Sequence, residues 1–200
     1  MITQLAGHLG AIWDLTDKVS GTAIDLGGTG RPLPQAGIVV DLNRPDGIAR
    51  WIRADLNDPE WSTEFSDGQF DWVWCNHTLE DIRDPIGLLR VITHIGKRAM
   101  IGTPHWTYEC GVRNDRSDWE AISGFPHHRW LVGINKDTGV YEFMAKQCWF
   151  VKSDYEYTIP NLNVEWDGGD FSFQEITNLY PGHMKKAELL AWLEGRWLKE

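Results

Sequence analysis

The first half of this chain is built from short apolar runs that each close on or near a polar residue. Ala23-Ile24-Asp25-Leu26, Ile38-Val39-Val40-Asp41-Leu42, Trp51-Ile52-Arg53-Ala54-Asp55-Leu56 and Phe70-Asp71-Trp72-Val73-Trp74-Cys75-Asn76 all have strand length. The last is apolar at nearly every position, which predicts a strand covered on both faces. A fifth strand is expected from Lys97 to Pro104. Between the fourth and fifth runs the period changes. Ile86, Leu88, Leu89, Val91, Ile92 and Ile95 make a wide apolar face, with Asp84 as cap, Pro85 in the first turn and Gly96 as the stop. That pattern predicts a helix. Residues 3–19 predict another, from the loose helical spacing of Leu5, His8, Leu9, Ile12, Trp13 and Leu15 before Gly21. Shorter helical pieces are expected at Asp46–Arg50 and Pro59–Phe65. Strand and helix alternating through residue 104 predict an α/β fold, a mostly parallel sheet with helices on both faces.

The second half follows a different rule. Residues 105–129 lack a clear period and carry His105, Trp106, Trp119, His127, His128 and Arg129. A β-hairpin follows, Trp130–Asn135 and Val140–Met144 around the turn Lys136-Asp137-Thr138-Gly139. A further strand pair is expected at Phe150–Ile159 and Asn163–Trp166. The chain closes on a predicted helix, Met184–Lys199, with Leu189, Leu190, Leu193 and Trp197 on one side. With 200 residues the simplest organisation is one domain, residues 20–104 forming a ligand-binding half and 105–200 a second, atypical part.

Composition narrows the partners. A net charge of −10 argues against a phosphate backbone, because nucleic-acid affinity rests on Lys and Arg. No apolar run approaches the roughly 20 residues of a membrane helix. The start, Met1 to His8, has no basic region before an apolar stretch and so does not read as a secretory signal. Cys75, Cys110 and Cys148 are odd in number and far apart, so reduced thiols in a cytoplasmic protein are expected. The twelve tryptophans suit cores and stacking walls alike, with core packing expected for most. Nothing in the pattern indicates an oligomeric state.

The candidate chemistry sits at the strand ends. Gly27-Gly28-Thr29-Gly30 follows the first strand, where glycine lets a ligand approach the backbone. Asp41 at the tip of the second strand suits the two hydroxyls of a ribose, since an ionised carboxylate is an acceptor only. Asp25, Asp41, Asp55 and Asn76 close successive strands, and ligands of open α/β sheets bind at those ends. One glycine turn among several acids suits a neutral or cationic nucleoside better than a polyphosphate. The turn reads D-x-G-x-x-G and lacks both the dinucleotide fingerprint and a phosphate-binding lysine. S-adenosylmethionine is therefore favoured over ATP and, less sharply, over NAD.

Taken together, Asp25-Leu-Gly-Gly-Thr-Gly30, Val40-Asp41, Ala54-Asp55-Leu56 and Phe70-Asp-Trp-Val-Trp-Cys-Asn-His-Thr-Leu-Glu-Asp-Ile-Arg-Asp-Pro85 resemble, in order and spacing, the motifs of class I S-adenosylmethionine-dependent methyltransferases, closest to the small-molecule type 11 group. The resemblance spans about residues 20–104 and implies a Rossmann-like sheet that binds S-adenosyl-L-methionine. By position it implies that Gly27, Gly28 and Gly30, after Asp25, line the methionine side. Asp41, followed by Leu42, would hold the ribose; Asp55 and Leu56 would meet the adenine. Asn76 and His77 would lie under the sulfonium and the acceptor pocket.

Three departures from that family stand out. Only seven residues separate Gly30 from Ile38, Pro32 and Pro34 among them, so the first crossover helix is expected to be very short or absent. Asp81 stands where the family often has His. After the fifth strand comes an unfamiliar segment containing Gly124-Phe-Pro-His-His-Arg-Trp130. Methyl transfer needs alignment and, for some acceptors, a base; His77, His105 and His128 are the candidates. His127 and Arg129 are candidates for an anionic group on the acceptor, and Trp106 for a stacking wall. His77, Glu80, Asp81, His105, His127 and His128 could supply nitrogen and oxygen ligands, but no local spacing such as H-E-x-x-H supports a metal and none is expected. The reading is methyl transfer to O or N of a small or medium-sized acceptor. Competing readings are a non-catalytic binding or assembly protein of the same fold and an NAD-dependent oxidoreductase.

Overall fold

A computed structural model describes residues 2–7, 12–48, 50–110, 125, 127–146, 161–176 and 186–197. Its main sheet contains β1 (Ile2–Gly7), β2 (Ala23–Leu26), β3 (Ile38–Asp41), β4 (Trp51–Arg53), β5 (Trp72–Asn76), β6 (Ala99–Pro104) and β9 (Asn161–Trp166). A smaller sheet contains β7 (Trp130–Ile134), β8 (Tyr141–Ala145) and β10 (Phe173–Glu175). The helices are α1 (Pro85–Ile95), α2 (Trp106–Cys110) and α3 (Lys186–Arg196).

The main sheet runs β1-β9-β6-β5-β2-β3-β4. β2 to β6 are parallel to their neighbours, and β9 lies antiparallel to β6. Numbered in chain order, the five parallel strands read 3-2-1-4-5, the doubly wound order whose direction reverses beside the first strand. The fold is therefore α/β and Rossmann-like, with its natural ligand crevice at the carboxyl ends of β2 and β5.

The crossover from β2 to β3 has no helix. Gly27 N donates to Val40 O at 2.9 Å, Gly37 N to Ala23 O at 2.9 Å, and Leu33 N to the Asp25 carboxylate at 2.7 Å. Leu33 is fully buried against Ile12, Trp72, Trp74 and Met100, so one leucine on a proline-rich loop covers the sheet where a helix would lie. A 3-10 helix at Trp13–Lys18 covers the same face.

The opposite face is packed more heavily. Ile24, Leu26, Val73, Cys75 and Ile101 meet Leu88, Leu89, Ile92 and Ile95 of α1 and the aromatic side of the small sheet, including Tyr141 and Phe143. Each buried aliphatic side chain of α1 contributes about 1.5–3 kcal/mol. Asp84 caps α1 by accepting from Gly87 N at 2.7 Å, and Pro85 opens the helix as its sequence position requires. The other side of the small sheet, Leu131 and Met144, joins Trp106, Leu189, Leu193 and Trp197 in a second core.

Several expected elements change. The helix expected over residues 3–19 is instead an edge strand, β1, followed by the 3-10 helix; residues 8–11 lie outside the described residues. The reason is distant in sequence: β9 offers an antiparallel edge, and Ile2 pairs with Trp166 through Gly7 with Asn161. Asp46–Arg50 forms no helix among its described residues, being too short to nucleate one alone. The third strand stops at Arg53, which leaves Asp55 on the turn beyond it. β9 pairs with β6 and β1; its expected partner, residues 150–159, lies outside the described residues. Among the described residues no helix is long and apolar enough to cross a membrane.

Candidate functional site

A cavity of about 330 Å³ opens at the carboxyl ends of β2 to β5, within the lower range of small-molecule sites. Gly27 and Asp41-Leu42 line one side, Ala54 to Asn57 a second, and His77-Thr78 with Asp81-Ile82 a third. Gly27 has φ +84 and packs against Thr78, whose hydroxyl donates to Leu26 O at 3.1 Å; a Cβ there would overlap the threonine. Asp41 is held by its own neighbourhood: Thr29 N donates to Oδ2 at 3.2 Å and Asn43 N to Oδ1 at 3.0 Å. Asp55 Oδ1 accepts from Asn57 N at 2.9 Å and from its amide at 2.7 Å, bonds that hold the exposed carboxyl below its usual pKa. Leu42, 55% exposed, is the exposed large hydrophobic of the described chain, and it faces this cavity.

Four residues expected at the ligand lie outside the lining of this cavity. Asp25 is 1% exposed and braces the loop through Leu33 N. Burial pushes its carboxyl up to about 7; the Leu33 hydrogen bond opposes this and the Asp41 charge adds to it. Gly28 is buried against that carboxylate, and Gly30 stands exposed in open space. Asn76 is half-buried outside the cavity lining, its Oδ1 without a hydrogen bond beside Gly102 and Asn163, whose side-chain amide is also unbonded. Asp25 and Gly28 shape the turn from within; Gly27 alone among the three glycines borders the cavity.

The third side of the cavity is strained and braced from afar. His77 has φ +51, in the left-handed region that a side chain other than glycine occupies at a cost. Its Nδ1 lies 3.1 Å from Oε1 of the wholly buried Glu80, whose Oε2 has no hydrogen bond. Glu80 O accepts from Arg129 N at 2.6 Å, Asp81 O from Arg129 Nε at 3.0 Å, and Ile82 O from Trp130 Nε1 at 2.8 Å. This brace sets His127 and His128 beside Asp81. Buried His128 bonds Glu109 Oε1 through Nδ1 at 2.6 Å, and Lys146 pairs with Oε2 of the same carboxylate. Burial opposes charge on Glu109, but His128 and Lys146 together hold its pKa below the usual range.

Two other expected residues belong to the interior. His105 is 1% exposed and bonds Thr107 at the start of α2. Trp106 is a core residue rather than a pocket wall, fully buried in the cluster with Leu131 and Trp197. Trp119 lies outside the described residues. Thr78, Asn57 and Ile82 were not singled out in sequence, although each adjoins or nearly adjoins a residue that was. Glu109 and Lys146 carried no local signal, because the histidine they serve is 19 and 18 residues away in sequence.

No protein-family model and no curated protein matches the chain. Solved structures do. An S-adenosylmethionine-dependent methyltransferase from Archaeoglobus fulgidus is 18% identical with TM-score 0.39, over 48% of this chain and 50% of that one. One from Mesorhizobium loti is 18% identical with TM-score 0.38, over 52% and 58%. An arsenic(III) S-adenosylmethionine methyltransferase from Chlamydomonas reinhardtii is 13% identical with TM-score 0.34, over 48% and 49%. The chain thus spans about half the length of these proteins.

Proposed function

We propose that the cavity binds S-adenosyl-L-methionine and that the chain transfers its methyl group to O or N of a small or medium-sized acceptor. The observation that carries this reading is that Asp41, Leu42 and Asp55 line one cavity, two carboxylates beside an exposed apolar side chain. Asp41 keeps acceptor capacity beyond its two backbone bonds, which suits a vicinal diol. Asp55 keeps Oδ2 for an exocyclic amino group. Leu42 and Ile82 supply faces for a planar ring. A polyphosphate would meet these carboxylates unfavourably.

The cofactor supplies a methyl carbon already activated by its sulfonium, so the protein's share is alignment, exclusion of water and proton acceptance. His77 lines the cavity with Glu80 behind its Nδ1, an acid that orients an imidazole as in other His-carboxylate pairs. It is the candidate base on this reading. Calorimetric titration with S-adenosylmethionine, S-adenosylhomocysteine and NAD tests the proposal. Micromolar binding of the adenosyl ligands, weakened in Asp41→Ala, is expected; no binding of either would overturn it. Formation of S-adenosylhomocysteine in the presence of an acceptor separates an enzyme from a binding protein.

A further inference from the structure

The rim of the cavity carries a second arrangement. Among the described residues, Asp81, His127 and His128 are the group whose ligand-type atoms lie within 4.8 Å of one another. Asp81 Oδ1 lies 4.0 Å from Nε2 of His127 and 3.9 Å from Nε2 of His128, too far for hydrogen bonds. That oxygen is buried and accepts no hydrogen bond, although its residue is partly exposed. The two imidazoles stand nearly perpendicular, at 83° with centroids 4.5 Å apart.

We propose that Asp81, His127 and His128 bind one divalent transition-metal ion of the zinc class. Ligand atoms at about 2.0–2.2 Å from a tetrahedral ion lie about 3.3–3.6 Å apart. The two Asp81–histidine separations close onto that geometry with shifts of roughly half an ångström, and the histidine nitrogens, within 4.8 Å of each other, with about an ångström. His128 is oriented for ligation: Nδ1 faces Glu109 Oε1 at 2.6 Å, which leaves Nε2 as the metal-facing atom. Glu109 is fixed in turn by Lys146 and by Phe125 N at 3.3 Å. A buried carboxylate behind a ligating imidazole is the usual support of a zinc-type site. Asp81 is anchored through the Arg129 and Trp130 bonds to residues 81–82, so both halves of the site share one brace. Two nitrogens and one oxygen suit Zn²⁺, Fe²⁺ or Co²⁺ better than Mg²⁺ or Ca²⁺, which take mainly oxygen ligands.

Three protein ligands leave at least one position open, and Asp81 also lines the cavity. On the methyl-transfer reading, the open position takes an oxygen of the acceptor; the metal site itself does not depend on that reading.

The test uses tag-free full-length chain, stripped with chelator and titrated with Zn²⁺ and with Co²⁺, the latter read by its visible absorption. One equivalent is expected, with affinity about tenfold or more weaker in Asp81→Asn and in His127→Ala. His127 is 63% exposed, so its replacement leaves the fold intact, and thermal melting confirms this for both variants. Glu109→Gln is expected to weaken binding by about 10–100-fold without abolishing it. Absence of stoichiometric binding, or equal binding by wild type and both variants, would overturn the proposal. S-adenosylmethionine affinity measured on the same samples, with and without metal, keeps failure of this site distinct from failure of the cofactor reading.

Discussion

The two rims of one cavity are built by opposite means. On the Asp41–Asp55 rim both carboxylates are fixed by near neighbours: Asn43 and Asn57 hold Asp41 and Asp55 from two residues away, and Thr29 reaches Asp41 from twelve. On the histidine rim the bonds join distant segments, with Arg129 and Trp130 each reaching across 48 residues to Asp81 and Ile82. The first rim leaves Asp41 half-buried and Asp55 exposed; the second buries Glu80, Glu109 and His128 beneath the surface. The histidine rim exists only once the small sheet has docked.

That contrast can be broken at its root. Glu142 is buried on β8 and accepts from Arg196 at 2.6 and 2.7 Å, Trp197 at 2.8 Å and Gln174 at 2.6 Å, which ties α3 and β10 to the hairpin. Glu142→Ala leaves Arg196 unpaired over a cavity and is expected to cost about 3 kcal/mol, read by urea denaturation. Hydrogen exchange should show α3 and β7 opening while β2, β3 and β5 stay protected. Uniform loss of protection would show instead that the two regions fold as one unit.

The next largest effect follows from Asp25, whose carboxyl titrates near 7 in the fold against a normal value of 3.8. Below about 3.8 both folded and unfolded chains hold the proton, and stability is greatest with respect to this group. Between about 3.8 and 7 the unfolded chain ionises first, so stability falls, then levels off above 7. The expected loss is on the order of a few kcal/mol. Asp25→Asn keeps an acceptor for Leu33 N and removes the titration. Its stability should therefore exceed that of wild type increasingly from pH 4 to 7.5; parallel curves would show that Asp25 does not titrate there.

Ligand binding separates the rims more finely. Removing the charged acceptor in Asp41→Ala is expected to weaken S-adenosylmethionine about 10–100-fold, the worth of hydrogen bonds to a charged group. His127→Ala, away from the cavity lining, should leave that affinity unchanged. Equal losses in calorimetry would mean that the rims act as one site. The smallest contrast lies within the glycine turn. Gly27→Ala meets both a positive φ and Thr78 and is expected to cost about 1–3 kcal/mol. Gly30→Ala points into open space and should change the melting midpoint by less than about 0.5 kcal/mol equivalent.

Legibility in the sequence follows the same division. The strands β2, β3, β5 and β6, the capped helix α1 and the missing first crossover helix could all be read from runs, caps and spacing. Asp41, Leu42, Asp55 and His77 could be named because each follows directly on a readable strand, and all of them border the cavity. Asp25, Gly28 and Trp106 showed the limit of that approach. Their residue types suit a ligand as well as an interior, and only burial tells the two apart. The helix expected over residues 3–19 failed because a loose apolar period fits two structures, and the choice was made by β9 across the chain.

What the sequence determined by itself was everything set within about a dozen residues: the apolar strand-length runs, their carboxylate ends, the turn glycines and the cap of α1. Such features depend on backbone sterics and hydrogen bonds between near neighbours. The tertiary structure decided which of those polar ends face a common space. It also decided that the edge of the sheet is completed by residues 2–7, and that two adjacent histidines come to rest beside Asp81 with Glu109 behind His128. Those outcomes depend on long-range packing of the small sheet onto the loop after β5, where a contact forms only when both segments have found the same core.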